Sequence, residues 1–278
     1  MSWRIAVRHR TGYQYATPAR ASYNEVRMTP ATTDGQHTLQ SRVDTSPKAA
    51  AFRYVDYWGT VVHAFDVHVP HTELVVTATS IVETGGARPD PPALGWNDLD
   101  GSLDRYAELL APSRYVVSEP ELDEVGAELA AQHSPAEAGR QAAGWVNDKL
   151  RYVRGVTQVG TTSAEARAGG EGVCQDFAHV ALALLRAAGL PARYVSGYFY
   201  PEREAVLAEP VLAESHAWVE FWAGDWVSAD PSNLSEVSDR HVLVARGRDY
   251  ADVRPLAGIY SGPPGGALGV TVELTRLR

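Results

Sequence analysis

Sulfur is nearly missing from this 278-residue chain, which has one cysteine, Cys174, and two methionines. A single thiol closes no internal disulfide and builds no thiolate metal cage, so both uses are excluded. Long apolar runs are missing as well. No stretch reaches the roughly 18 residues that a membrane-spanning helix needs. The opening Met1-Ser2-Trp3-Arg4-Ile5-Ala6-Val7-Arg8-His9-Arg10 holds no apolar segment of the secretory type. Positive charge is in short supply: 25 Lys and Arg against 34 Asp and Glu leave a net charge of −9. Nucleic acid and anionic membranes are therefore poor partners. Gly-x-Ser-x-Gly elbows, phosphate loops and His-Glu-x-x-His metal signatures are also absent. The expectation is a soluble enzyme without cofactor or metal, its free thiol kept in a reducing cytoplasm.

What is present centres on that thiol. Cys174 lies in Gly169-Gly170-Glu171-Gly172-Val173-Cys174-Gln175-Asp176-Phe177-Ala178-His179, where a glycine-rich turn runs into a helical pattern. Phe177, Val180, Ala181, Leu184, Leu185 and Ala188 recur at helical spacing and form one apolar stripe. Gly189 and Pro191 end the pattern, so a buried helix is expected from about Val173 to Ala188. Cys174 then stands in the first turn, where unpaired N–H groups and the helix dipole favour thiolate over thiol. A small buried cysteine with no chemistry is the plainer alternative.

A cysteine nucleophile needs a base and a group to orient the base. Among nine histidines, His216 has the best context. It begins His216-Ala217-Trp218-Val219-Glu220-Phe221-Trp222, and a short Ala223-Gly224-Asp225 connection leads to Trp226-Val227-Ser228-Ala229-Asp230-Pro231. Two such runs read as a β-hairpin. A turn centred on residue 223 would set His216 opposite Asp230, close enough for the carboxylate to fix the imidazole tautomer. A turn centred between 223 and 224 would oppose His216 to Pro231 instead. Trp218, Trp222 and Trp226 fall on the same face by alternation and serve as core or, for Trp218, as a wall of the acyl site. Asp176 and His179, three apart on the cysteine helix, read as structural. His63, His68 and His71 read as surface or packing residues, because positions 63 and 68 point to opposite faces of a regular strand.

Residues 1–84 show short alternating runs and predict a small β-sandwich. Residues 85–95, with Gly85-Gly86-Ala87-Arg88-Pro89-Asp90-Pro91-Pro92, form a linker. Residues 96–278 then form an α+β domain with an antiparallel sheet. It has helices from about Pro120 to Gln132 and after the capping box Ser134-Pro135-Ala136-Glu137, then the cysteine helix and strands at 192–200, 216–222 and 226–230. A last strand at 270–274 could join either sheet.

The motifs Gly172-Val173-Cys174-Gln175-Asp176-Phe177-Ala178-His179, His216-Ala217-Trp218-Val219-Glu220 and Ala229-Asp230-Pro231-Ser232-Asn233 together resemble the transglutaminase-like superfamily of papain-like cysteine enzymes. Ser232 stands where relatives usually carry threonine. The stretches from Ser22 to Leu74 and from Gly247 to Pro255 are similar to the bacterial branch. The resemblance implies a papain-like α+β core, with Cys174 as nucleophile, His216 as base and Asp230 as its orienting partner. It implies acyl transfer on a peptide, protein or small amide through a thioester, ending in hydrolysis or in transfer to a primary amine. The Cys174 backbone N–H would hold the oxyanion, with Tyr152 or Gln158 as second donor and Gln175 and Trp218 as further pocket residues. A non-catalytic binding or assembly module on the same fold is the rival reading.

Overall fold

A computed structural model describes residues 2–85, 90–99, 101, 104–202, 206–263 and 267–278. The strands in chain order are β1 (Trp3–Ala19), β2 (Ala21–Val26), β3 (Gln36–Ser46), β4 (Ala51–Val55), β5 (Val61–Val67) and β6 (His71–Thr84). Two helices follow, α1 (Pro120–Gln132) and α2 (Pro135–Lys149), then β7 (Arg151–Tyr152), α3 (Ser163–Gly169), β8 (Glu171–Gly172) and α4 (Cys174–Ala187). The chain continues as β9 (Ala192–Phe199), β10 (Pro210–Ala213), β11 (Ser215–Trp222), β12 (Trp226–Ala229), β13 (His241–Gly247), the single turn α5 (Tyr250–Val253), β14 (Leu256–Ser261) and β15 (Ala267–Arg276). The class is α+β with antiparallel sheets; the parallel pair is the short β7–β8 contact.

The first sheet has the order β10-β15-β1-β6-β3 and the second β14-β2-β5-β4. They enclose a core of Tyr15, Val26, Met28, Phe65, Val67, Leu74, Val76 and Leu256. Residues 1–84 therefore do not form this sandwich unaided. Strands β10, β14 and β15, expected with the second domain or left open between sheets, complete it. Residues 86–89 of the expected linker lie outside the described residues. At its end, Leu94 closes on the β11–β12 turn, where a Cβ on Gly224 would fall 2.3 Å from Leu94 Cδ1.

One face of the first sheet serves two cores. Alternate residues Trp3, Ile5 and Val7 of β1, with Val82 of β6, pack into the larger cluster around α4, while farther along the strands Tyr15, Leu74 and Val76 face the second sheet. The other half is a sheet of order β12-β11-β9-β13 with helices against it. At its centre is α4, whose Phe177, Val180, Ala181, Leu184 and Leu185 are at most 1% exposed. Each of the valine, leucine and phenylalanine side chains contributes about 1.5–3 kcal/mol by leaving water. The helix ends in a left-handed Gly189 (φ 83°), with the Leu190 N–H on the Leu185 carbonyl at 2.9 Å. Ser134 precedes α2 as its N-cap but makes no side-chain cap, so Pro135 at the first helical position marks that start instead. Ala138, Ala142, Val146 and Leu150 are buried along one face of α2, with Trp145 half-buried beside them.

Candidate active site

Cys174 is the first residue of α4, reached through β8 and Val173. A Cβ on Gly172 would sit 2.6 Å from the Asp176 Cβ, so only glycine lets the chain enter the helix this tightly. Asp176, three residues inside the helix, accepts the Val173 N–H at 2.8 Å and the Thr157 hydroxyl at 2.6 Å. It thus caps the helix start and ties down the 153–162 loop. Asp176 does not pair with His179, whose Nε2 accepts the Tyr250 N–H at 3.3 Å and whose ring stacks on Tyr115. Both are structural.

His216 stands near the start of β11, opposite Gly197 of β9. Ala217, Val219 and Phe221 join the core around α4, while His216 and Trp218 lie on the other face of the strand. His216 Nε2 donates to Asp230 Oδ2 at 2.7 Å. Cys174 stands close enough to the ring to raise its proton affinity, and Nδ1 is the nitrogen that Asp230 leaves open. Thiol, imidazole and carboxylate are thus brought to one place in the fold. Burial opposes charge on His216, but the hydrogen bonds with Asp230 and Cys174 and their negative charge outweigh it and push the imidazole up to about 9. Burial likewise opposes charge on Asp230, yet hydrogen bonds from His216 and His241, the His216 charge and Asn233 hold it well below the usual carboxylate range.

The hairpin that carries the acid is not in either register weighed from sequence. The turn centres on Gly224, with Trp222 opposite Trp226 and Val219 opposite Ala229. Gly224 adopts φ 91°, and the Ala223 N–H bonds the Asp225 carbonyl at 3.0 Å. Asp230 therefore lies just past the strand rather than opposite His216. It still reaches the ring because the chain turns over: the Leu234 N–H bonds the Asp230 carbonyl at 3.0 Å. Within that turn Asp230 Oδ1 accepts the Ser232 N–H at 3.0 Å, the Ser232 hydroxyl at 2.8 Å and the Asn233 N–H at 3.2 Å. Asn233 Nδ2 donates to Oδ2 at 2.8 Å.

The other sequence-selected residues fall in different places. Tyr152, partly exposed, lies near the thiol: burial and then the Cys174 charge raise its hydroxyl above the ordinary phenol value. Gln158 lines a cleft of about 640 Å³ with Thr157, Gly160, Thr161, Glu165 and Glu171, a lining that does not include Cys174. Gln175 spends its amide on the Val159 carbonyl at 3.2 Å and acts as a loop anchor. Trp218 is 1% exposed, its ring 6.0 Å from His216, so it backs the base and walls no open pocket. Trp222 and Trp226 meet edge to face under Tyr106.

His241, unremarked in the sequence, opens β13 and places Nε2 3.5 Å from Asp230 Oδ2. Among the described residues, His216, Asp230 and His241 have ligand atoms within 4.8 Å of one another. They do not fit a metal ion, because His216 and Asp230 are bonded directly to each other and His241 Nδ1 accepts the Ser238 N–H at 3.2 Å. Binding an ion through Nε2 would move the proton of a neutral His241 ring onto Nδ1, against that N–H.

Comparisons with known proteins agree with this architecture. Residues 5–83 match the bacterial transglutaminase-like N-terminal region and residues 123–231 the transglutaminase-like superfamily. An uncharacterized protein of Mycobacterium leprae is 46% identical over 277 residues, covering 99% of both chains. A protein-glutamine gamma-glutamyltransferase of Pseudomonas aeruginosa is 39% identical over 67 residues, 22% of this chain and 10% of that one. The crystal structure of a candidate cysteine protease from Cytophaga hutchinsonii shares the fold, with a TM-score of 0.78, 23% identity and coverage of 100% of this chain and 92% of that one. The chain belongs to the transglutaminase-like superfamily, in the bacterial form that carries the transglutaminase-like N-terminal region.

Proposed function

We propose that the protein is a thiol-dependent acyl-transfer enzyme acting on an amide or peptide. The observation that carries this reading is His216 bonded to Asp230 at 2.7 Å, with Cys174 near enough to help raise the imidazole. The Cys174 thiolate attacks the carbonyl carbon, a C–S bond forms, and His216 Nδ1 delivers its proton to the departing amine or ammonia as the C–N bond breaks. The thioester then yields to water or to a primary amine, whose proton returns to His216. The first N–H groups of α4 have no acceptor within the helix and support the oxyanion. Tyr152, whose raised hydroxyl stays protonated, is the second donor in this reading. Substrates are peptides, proteins or small amides, with a primary amine as optional acceptor. The name of the Pseudomonas relative, a gamma-glutamyltransferase, favours trying glutamine amides first.

The test is incubation with glutamine-containing peptides and small amides, with and without a primary amine, and product identification by mass. Hydrolysed or amine-exchanged products from the wild type, and none from C174A of unchanged fold, are expected. Full turnover by C174A would remove the nucleophile assignment.

A further inference from the structure

The acyl-transfer reading leaves one buried side chain beside the triad without a role. His241 is 5% exposed and starts β13, across β9 from the strand of His216. Its Nδ1 accepts the Ser238 N–H at 3.2 Å. A ring nitrogen that accepts a hydrogen bond carries no proton, so the proton of the neutral ring is on Nε2. That nitrogen faces Asp230 Oδ2 and is a donor there, at 3.5 Å. Burial lowers the proton affinity of His241, against the opposing hydrogen bond and charge of Asp230, and the charges of His216 and Arg240 act in the same direction as burial. The ring is therefore a neutral donor.

The two oxygens of Asp230 have different surroundings. Oδ1 is held by the backbone and hydroxyl of its own turn. Oδ2, which serves His216, is shared with Asn233 from the exposed turn and with His241 from the sheet. His241 is itself fixed by Phe199, ring centroids 4.7 Å apart, and by the edge of Trp218 at 5.3 Å. Gly197 makes room for this packing, since a Cβ there would lie 2.7 Å from the Trp218 ring. Asp230 has a fully buried side chain, so no bulk water replaces a lost inner donor. We propose that His241 is a positioning residue of the acyl-transfer site, a neutral Nε2–H donor locked by Ser238 that holds Asp230 Oδ2 on His216. The inference deepens the triad reading and rests on it.

The experiment uses H241F, which keeps a ring and removes the donor, and H241Q, whose amide can restore it. Two readouts need no substrate: titration of the His216 ring by NMR in isotope-labelled full-length protein, and the pH profile of Cys174 alkylation by iodoacetamide. With H241F the His216 titration is expected to fall by roughly one pH unit, the shift that matches a tenfold change in proton affinity. Alkylation at pH 6 should fall about tenfold, the effect of one lost hydrogen bond to a charged group. H241Q should recover most of both. On any amide that the wild type turns over, kcat should fall in H241F with KM unchanged. Methionine, of similar length to glutamine and without its donor, replaces phenylalanine if H241F does not fold. An unshifted His216 titration in the folded donor-less variant, or equal damage in H241Q, would overturn the proposal and leave His241 a packing residue. Absence of any amide turnover by the wild type would instead count against the acyl-transfer reading, while the titration still judges the contact between His241 and Asp230.

Discussion

His216 shows how a buried base is kept charged. Alone among apolar neighbours, an imidazole at this depth would be neutral at pH 7. Asp230 and Cys174 reverse that and push it up to about 9. The sign of the linked stability follows. A raised folded value against 6.5 means the His216 contribution is fully present below about pH 6.5 and fades as pH rises through about 9. The depressed Asp230 carboxyl acts in the opposite sense: its contribution is present above the ordinary carboxylate value and is lost as pH falls toward its folded one. Urea unfolding of the wild type and H216Q should therefore differ by about 1–3 kcal/mol at pH 6 and by much less at pH 10. A gap that stays constant between those values would show that the ring is not held charged. The D230N variant keeps the shape but offers His216 an amide; turnover should drop by on the order of 10³–10⁴, as when a triad histidine adopts the wrong tautomer.

At the scale of single elements, parts that specify themselves locally were readable and parts set by tertiary contact were not. The apolar stripe of Phe177, Val180, Ala181, Leu184 and Leu185 and the stop at Gly189 define α4 within one residue of its observed ends. Proline at the first helical position gives α1 and α2. The β11–β12 register was missed because it depends on left-handed Gly224 at the turn centre and on Leu94 packing over it, neither visible in the strand pattern. Asp230 reaches His216 through the turn at 230–234 rather than through the ladder. No local motif marks His241, because β13 takes its place by pairing with β9, more than forty residues earlier in the chain. The 153–162 loop is likewise held by tertiary contacts, the Asp176 carboxylate on Thr157 and the Gln175 amide on Val159. D176A removes the acceptor of the Val173 N–H and the Thr157 hydroxyl. It should destabilise by about 1–3 kcal/mol, the cost of leaving buried donors unmet. Hydrogen exchange at residues 153–162 should rise in D176A; unchanged protection there would mean that the loop is held by other contacts.

For the whole molecule, the strand-rich half and the half that holds Cys174 share the first sheet. The sequence suggested a sandwich, a linker and a catalytic domain in series, because composition changes near residue 85 and pairing across some 250 residues leaves no local trace. Instead β15 lies between β1 and β10, so the chain end closes the sheet that its beginning opened. The Leu277 N–H and Arg4 carbonyl meet at 2.7 Å. Leu274 is fully buried on β15 and packs in the same cluster as Ile5, Val82 and the α4 residues behind Cys174. Its neighbour in pairing, Val211 of β10, precedes His216 by five residues. L274A should cost about 2–5 kcal/mol, the range for a leucine deleted from a packed core. The loss should appear as one shifted transition, identical by tryptophan fluorescence, circular dichroism and exposure of the Cys174 thiol to a disulfide reagent. Two separated transitions, with the thiol still protected after the sandwich has melted, would show that the shared sheet does not couple the halves. Coincident curves would mean that the N-terminal sheet acts as a structural wall of the core around α4, on which the placement of Cys174 depends.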